Sequence, residues 1–488
     1  MLTSSSIVSL VTLILCIGIG AAIGALVVDN NAADAIAIAD ADADAARSVK
    51  SFSVLSRPID LKYGQVHNTL QDPIKLPGHL VQEFSTKPMA IVNYVVDIVG
   101  IDEDGEEFQV PLYDGYNHHY AIGIGRYGLM KKFYEAHKND PYGGYGLNTT
   151  MMTMTEFMDG MRTIGRRRGG RAANFGGGSG AEERGTSHLL PDGYAHVVDN
   201  PEALIPLIHL INTKNGKTAG KGYSPLLECP CTPQRVFDVP HDKIDGKSPV
   251  PPFSCNLAFE QEKNPSCFMD IYESGFRCCE HGVFVIDTDK YDVDALPETT
   301  FYFKFTFEYV DDTPATVPVR PPACCDVTAN LTVGGNIEYD VPLCTPGISP
   351  EDCVHEMTST QFFDLMPNYH QDPHKQEGVD PTEEVDLVYA VGHLHVGGLS
   401  LDLYDDETGE LICHSAPTYG TGLEAGNEAH YLTGMSDCVF DPPLKMKRET
   451  VVRTIARYNN TVAHHGVMAL WLMQVADPTP ASASTPAT

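Results

Sequence analysis

The stretch TTFYFKFTFEYVD, residues 299–311, decides the fold class of this chain. Phenylalanine recurs at every second position from 301 to 307, with tyrosine, lysine and threonine between the rings. Side chains on a strand alternate between its two faces, so this period of two places the four phenylalanine rings on one face. The stretch is therefore predicted to be a β-strand that turns one face to a hydrophobic core.

Other segments of the same character extend this prediction along the chain. They are rich in β-branched and aromatic residues and comprise residues 89–102, 329–343, 385–406 and 467–475. Glycine and proline, 43 and 34 in total, are frequent between them, as in short strands joined by turns. We predict a mainly β protein with two jelly-roll-like β-sandwich domains, residues 51–312 and 313–476, because the composition shifts at DDTPATVPVRPPACC (311–325).

The two ends of the chain are predicted to lie outside these domains. Residues 7–28 form an apolar run without charge that is long enough to span a bilayer, and it ends in small residues as at a signal-peptidase site. A cleaved signal peptide and a retained membrane anchor are both consistent with segment 1–28, and both direct the chain to the secretory pathway. The Ala/Asp-rich segment 29–50 and the tail 477–488 are predicted to be disordered.

The charge balance excludes one class of partner. The formal net charge is −32, whereas proteins that bind nucleic acid need basic patches to contact the phosphates. No nucleic-acid partner is therefore expected.

Cysteine usage supports an extracellular or lumenal location. The chain has 13 cysteines, and one of them, Cys16, lies in the apolar run, which leaves an even set. An even set beyond a secretory segment predicts disulfides that staple the domains. Sequons at Asn148, Asn330 and Asn459 predict N-glycans on such a chain.

The first candidate metal ligands are His118 and His119, adjacent in the strand-like stretch GYNHHYAIGIG. Neighbouring side chains on a regular strand point to opposite faces, so the pair can hold one metal only if a bulge redirects a ring. His209 lies within the apolar stretch LIPLIHLINT, where a buried histidine satisfied by the core is the simpler interpretation. Together with the pair, however, it could complete a site of three imidazoles.

The second candidate group lies in VGHLHVGG, residues 391–398. His393 and His395 are two residues apart in a predicted strand, so both project from the same face. In HHGVMALWLM (464–473), Met468 begins an apolar strand. A single methionine is usually core filler, but a thioether that is paired with imidazoles favours Cu(I).

Several longer phrases resemble the stress up-regulated Nod 19 family of plants. They occur in family order over most of residues 60–475 and are NHHYAIG, FGGGSGAEERGTSHLLPDGYA, IHLINT, VGHLHVGGLSLDLYDD, PTYGTGLEAGNEAHYLTGMSDC and HHGVMALW. The family implies no established activity.

The order of the histidine motifs is also similar to that of the copper type II, ascorbate-dependent monooxygenases. The resemblance implies an electron-transfer copper on His118, His119 and His209, and a dioxygen-activating copper on His393, His395 and Met468. It further implies a cleft between the two domains, ascorbate as the reductant and a small-molecule or peptide substrate of unspecified identity. His281, in CCEHGVF, competes with His209 as the third ligand of the first copper.

Two functions follow as predictions. The first is a secreted or lumenal copper protein that hydroxylates a C–H bond of its substrate, with catalytic ligands His393, His395 and Met468. The alternative is a non-catalytic extracellular metal-binding or structural stress-response protein. The amount of copper bound, up to two ions per chain, would separate them.

Overall fold

The computed structural model of the chain describes residues 48–138, 157, 160–161, 171–177, 184–214, 292, 294–312, 315–329, 339–365 and 379–478. Several predictions fall outside the described residues. They concern the segment 1–28, most of the segment 29–50, the tail beyond residue 478, the sequons at Asn148 and Asn330, and His281.

The prediction of a mainly β protein is confirmed. The strands described up to residue 311 are β1 (Lys50–Leu55), β2 (Ile59–Lys62), β3 (Val66–Leu70), β4 (Ile74–Lys75), β5 (Met89–Ile101), β6 (Glu107–Gln109), β7 (Gly115–Gly125), β8 (Ala173–Gly177), β9 (Tyr194–Val198), β10 (Ala203–Asn212) and β11 (Glu298–Asp311). The helices of the same part are α1 (Gly78–Glu83) and α2 (Tyr127–His137).

The remaining described chain is also built from strands. They are β12 (Val317–Arg320), β13 (Tyr339–Val341), β14 (Val354–Phe362), β15 (Glu384–Leu394), β16 (Gly398–Asp405), β17 (Leu411–Ser415), β18 (Pro417–Tyr419), β19 (Leu432–Met435), β20 (Asp437–Lys447), β21 (Val451–Asn459), β22 (His464–Val467) and β23 (Ala469–Ala476). The 3-10 turn Pro350–Asp352 precedes β14.

The first core lies between two sheets and contains the phenylalanines of β11. All four of these rings are fully buried, as their period of two predicts. Phe303 and Phe305 lie 6.2 and 6.4 Å, between ring centroids, from Tyr120 of β7 on the opposing sheet. Burial of one such side chain contributes roughly 1.5–3 kcal/mol to the stability of the fold. The packing of the β11 rings on Tyr120 therefore holds β7 against the opposing sheet.

A second core forms between β15 and β23 on one side and the sheet β14-β21-β16-β17 on the other. Leu401 and Leu403 of β16 are fully buried there. Gly392 of β15 lies so close to β16 and β17 that an added Cβ would meet Ser415 at 2.9 Å and Leu401 at 3.1 Å. This close approach fixes the strand that carries His393.

One long sheet runs through both cores in the order β1-β11-β5-β9-β12-β23-β15-β20. The two parts meet at the parallel pair β9–β12, where Val317 lies opposite Tyr194. Hydrogen-bonded sheet thus continues past residue 312. The domain boundary at that residue stays a prediction.

Three disulfides lie in the described part of the chain, Cys324–Cys325, Cys344–Cys353 and Cys413–Cys438. They confirm the prediction of a disulfide-stapled protein and indicate an oxidising secretory or extracellular environment. Among the described residues, no helix has the length and apolar character needed to cross a membrane.

Candidate metal centre

A β-bulge brings the adjacent histidines of β7 together with β10. His119 lies opposite His209, but the next pair is Asn117 with Leu210, so His118 is an extra residue in β7 at this point. Such an insertion changes the side-chain alternation locally. Both rings of the adjacent pair can face one metal only if β7 contains a bulge, and the bulge is present.

The three imidazoles form a compact triad. Ring centroids are 4.2 Å apart for His118 and His209, 4.7 Å for His119 and His209, and 5.2 Å for His118 and His119. The Nδ1 atoms of His118 and His119 are 3.0 Å apart. Each of the three residues offers a ring nitrogen, and these three nitrogens lie within 4.8 Å of one another. Among the described histidines, cysteines and acidic residues, this is the one group of three that is placed to share a metal ion.

The surroundings of His209 and His119 favour neutral imidazoles. Burial, followed by the charge of His67, lowers the pKa of His209 to about 3. Burial is also the main cause that holds the pKa of His119 well below its usual value, although the residue as a whole is only half-buried. A neutral imidazole has a lone pair on one nitrogen, and this is the form that binds a metal.

The second group is formed by the H-x-H motif at the end of β15. His393 lies opposite Leu470 of β23 and is fully buried, and His395 follows β15 by one residue. Their ring centroids are 5.4 Å apart, as expected for side chains two residues apart on one strand face. Burial, then the charge of His393, lowers the pKa of His395 well below its usual value.

The phenol of Tyr458 joins this group to Met468. It accepts a hydrogen bond from the His395 backbone amide at 2.8 Å and donates one to the Met468 carbonyl oxygen at 2.7 Å. Met468 lies between β22 and β23 and is buried, and Tyr458 is fully buried. One hydroxyl therefore ties together the two backbone segments that carry the predicted ligands.

The turn after His395 packs against His464. Gly397 has a positive φ of 96°, and a Cβ added to it would overlap with the His464 ring. The ring bonds through Nε2 to the Asn459 carbonyl oxygen at 2.7 Å, so Nε2 is the donor and Nδ1 carries the lone pair. Its positive form would also lower the pKa of His395.

The triad and the H-x-H motif lie within electrostatic reach of each other. The positive form of His393 lowers the pKa of His119, and that of His118 lowers the pKa of His395, in each case after the larger effect of burial. The fold thus brings the predicted residues into two neighbouring groups. Met468 is tied to the second of them through its backbone.

The donor set of the triad fits metal binding. Three neutral imidazoles suit copper or zinc, whereas two imidazoles with a thioether would be a softer set that favours Cu(I). The residues are buried or half-buried, so a bound ion would be shielded from bulk water. Ligand chemistry alone leaves the first group open to both metals.

Comparison with known proteins gives the family. The model of the family described as Stress up-regulated Nod 19 matches residues 47–478, which is most of the chain. The chain belongs to the stress up-regulated Nod 19 family. The matched part of this Nod 19 chain contains both histidine groups and both cores. No curated protein matches it.

Two residues that shape the site of this Nod 19 protein could not be assigned their roles from the sequence. Tyr458 is 63 residues from His395, to which it bonds, and an isolated tyrosine in a strand is ordinarily a packing residue. His464 was visible only as part of the HHG motif. Its contact with Gly397 depends on β22 returning beside the turn that follows β15.

Proposed function

We propose that this protein binds copper at two neighbouring sites and acts as an ascorbate-dependent monooxygenase. The observation that carries the proposal is the convergence of His118, His119 and His209. This convergence depends on a β-bulge, which a regular strand lacks. The second support is the H-x-H pair, tied to Met468 by one phenol. The order of these motifs along the chain is that of the copper type II monooxygenases.

The first site would be held by His118, His119 and His209, and the second by His393, His395 and Met468. Copper held by these donors would supply Cu(I)/Cu(II) redox chemistry, which with dioxygen and a reductant would support hydroxylation of a C–H bond. Burial lowers the pKa of His119, His209 and His395, which favours the neutral, metal-binding form of these three imidazoles at neutral pH. Tyr458 holds the turn after β15 against the start of β23.

The test of metal binding is the copper content of the purified full chain after reconstitution. We expect about two coppers per chain, and about one in His119→Ala and in His393→Ala, because each variant removes a ligand from one site. His79→Ala is the matched control, since His79 is exposed on α1. No copper after reconstitution, or equal copper in all four proteins, would contradict the proposal.

The test of turnover is ascorbate-dependent oxygen consumption. We expect Met468→Ile to remove it, because isoleucine fills similar space but offers no sulfur. Copper binding without oxygen consumption in the wild type would instead support the non-catalytic metal-binding function. Loss of folding in Met468→Ile is detected separately by circular dichroism.

A further inference from the structure

Residues 419–431, which we call the bridging loop, connect β18 to β19 and are held by their own hydrogen bonds. The Gly422 amide donates to the Asn427 carbonyl at 2.7 Å, and the Gly420 amide donates to the Tyr431 carbonyl at 3.0 Å. A Cβ at Gly420 would overlap with the Glu428 carbonyl, so the two arms of the loop are in direct contact. The loop is therefore a compact unit with a defined shape.

One end of the bridging loop holds the turn that follows the H-x-H motif. The Tyr419 hydroxyl accepts a hydrogen bond from the Gly397 amide at 3.0 Å and donates to the Gly398 carbonyl at 2.8 Å. Gly397 is two residues beyond His395. Any shift of Tyr419 is thus transmitted to the backbone next to a predicted ligand.

The other end holds the segment that leads into β7. The Glu428 carboxylate is fully buried and accepts the Leu112 amide at 3.0 Å, and the Tyr113 hydroxyl donates to the Leu423 carbonyl at 2.5 Å. The same segment bonds to the residue after β10, because the Thr213 amide donates to the Asp114 carbonyl at 3.1 Å. It therefore anchors both strands of the histidine triad.

Arg184 neutralises Glu428 and strengthens this attachment. Its guanidinium contacts Glu428 at 2.8 Å and Asp97 of β5 at 2.5 Å, and its side chain is only 9% exposed. It also donates to the carbonyls of Ile98 and Val110. A buried carboxylate is strongly unfavourable without such partners, so Arg184 is what allows Glu428 to be buried in this position.

We propose that the bridging loop is a spacer that fixes the separation of the two histidine groups, with Tyr419 and Glu428 as its positioning residues. This inference rests on the proposed function. A spacer of this kind makes the two metal sites act as a pair of fixed geometry. Its hydrogen bonds at Tyr419 and Glu428 add to the sheet packing that already joins the two groups.

The test is electron paramagnetic resonance of the full chain loaded with Cu(II), in which the dipolar splitting reports the separation of the two ions. Glu428→Gln keeps the shape of the side chain but removes its charge, and Tyr419→Phe removes the hydroxyl at the other end. The matched control is Asp364→Asn, because Asp364 is also a buried carboxylate, and its described partners are Arg320, Arg448 and the Ala323 amide.

We expect a resolved splitting in the wild type and in Asp364→Asn, and loss of that splitting in Glu428→Gln and Tyr419→Phe at unchanged copper content. Unchanged splitting in both loop variants would overturn the inference and leave the proposed function standing. If Glu428→Gln does not fold, Tyr419→Phe decides. Fewer than two coppers in the wild type would overturn the proposed function, and the inference with it, before any splitting is measured.

Discussion

At the scale of single residues, Tyr458 has the clearest consequence. Replacing it with phenylalanine removes the hydroxyl that bonds to the His395 amide and to the Met468 carbonyl. Both hydrogen bonds are then lost. We expect Tyr458→Phe to lower the free energy of unfolding by about 1–3 kcal/mol and to weaken copper binding at the second site only. Urea denaturation and copper titration measure the two effects.

Tyr404→Phe is the control for this variant, because the Tyr404 ring on β16 packs under the Arg453 guanidinium of β21. We expect it to leave copper binding unchanged. If Tyr458→Phe and Tyr404→Phe behave alike, the phenol of Tyr458 does not organise the second site.

His196 predicts how the stability of the metal-free protein depends on pH. It packs against Phe175 at 4.9 Å between ring centroids, and burial, then the charge of His188, lowers its pKa to about 3. The unfolded chain binds this proton near pH 6.5, so stability is fully present above that pH. It is lost as the pH falls toward 3, by at most about 1.4 kcal/mol per pH unit.

We therefore expect His196→Phe to reduce the slope of unfolding free energy against pH between about 6.5 and 3, by up to one proton. Urea denaturation of the metal-free chain at a series of pH values measures the slope. His79→Ala, on an exposed position of α1, should leave it as in the wild type. An unchanged slope in His196→Phe would show that this residue does not contribute.

At the scale of elements, the turn between β15 and β16 depends on Gly397. Its positive φ disfavours any side chain, and a Cβ would also overlap with the His464 ring. Gly409, between β16 and β17, has a φ of 73° but open space around it. We expect Gly409→Ala to cost about 1–2 kcal/mol and Gly397→Ala clearly more, measured by urea denaturation. Equal costs would mean that the His464 contact is not a constraint.

The strands themselves were predictable from the sequence, but their registers were not. Period-two alternation identified β11 and the shared face of His393 and His395, because it depends only on neighbours in the chain. The bulge at His118 depends on how β10 pairs with β7, which no local pattern specifies. Glu428 is a further example, since its Leu112 partner is 316 residues away.

At the scale of the whole molecule, a continuous sheet and the two buried ion pairs of Arg184 join the two cores. The sheet passes from β9 to β12, and Arg184 connects β5 to Glu428 in the bridging loop. The predicted boundary at residue 312 rests on a change in amino-acid composition. The structure shows contacts across this point, which composition cannot predict.

We therefore expect the two cores to unfold together, in a single calorimetric transition of the metal-free chain. Arg184→Met should lower the stability by about 3–5 kcal/mol, because it leaves Glu428 buried and charged. Arg453→Met breaks the exposed pair with Asp406, whose side chains are 33% and 38% exposed, and should cost at most about 1 kcal/mol. Two separate transitions in the wild type, or equal losses in the two variants, would show that the cores are energetically independent and that Arg184 does not couple them.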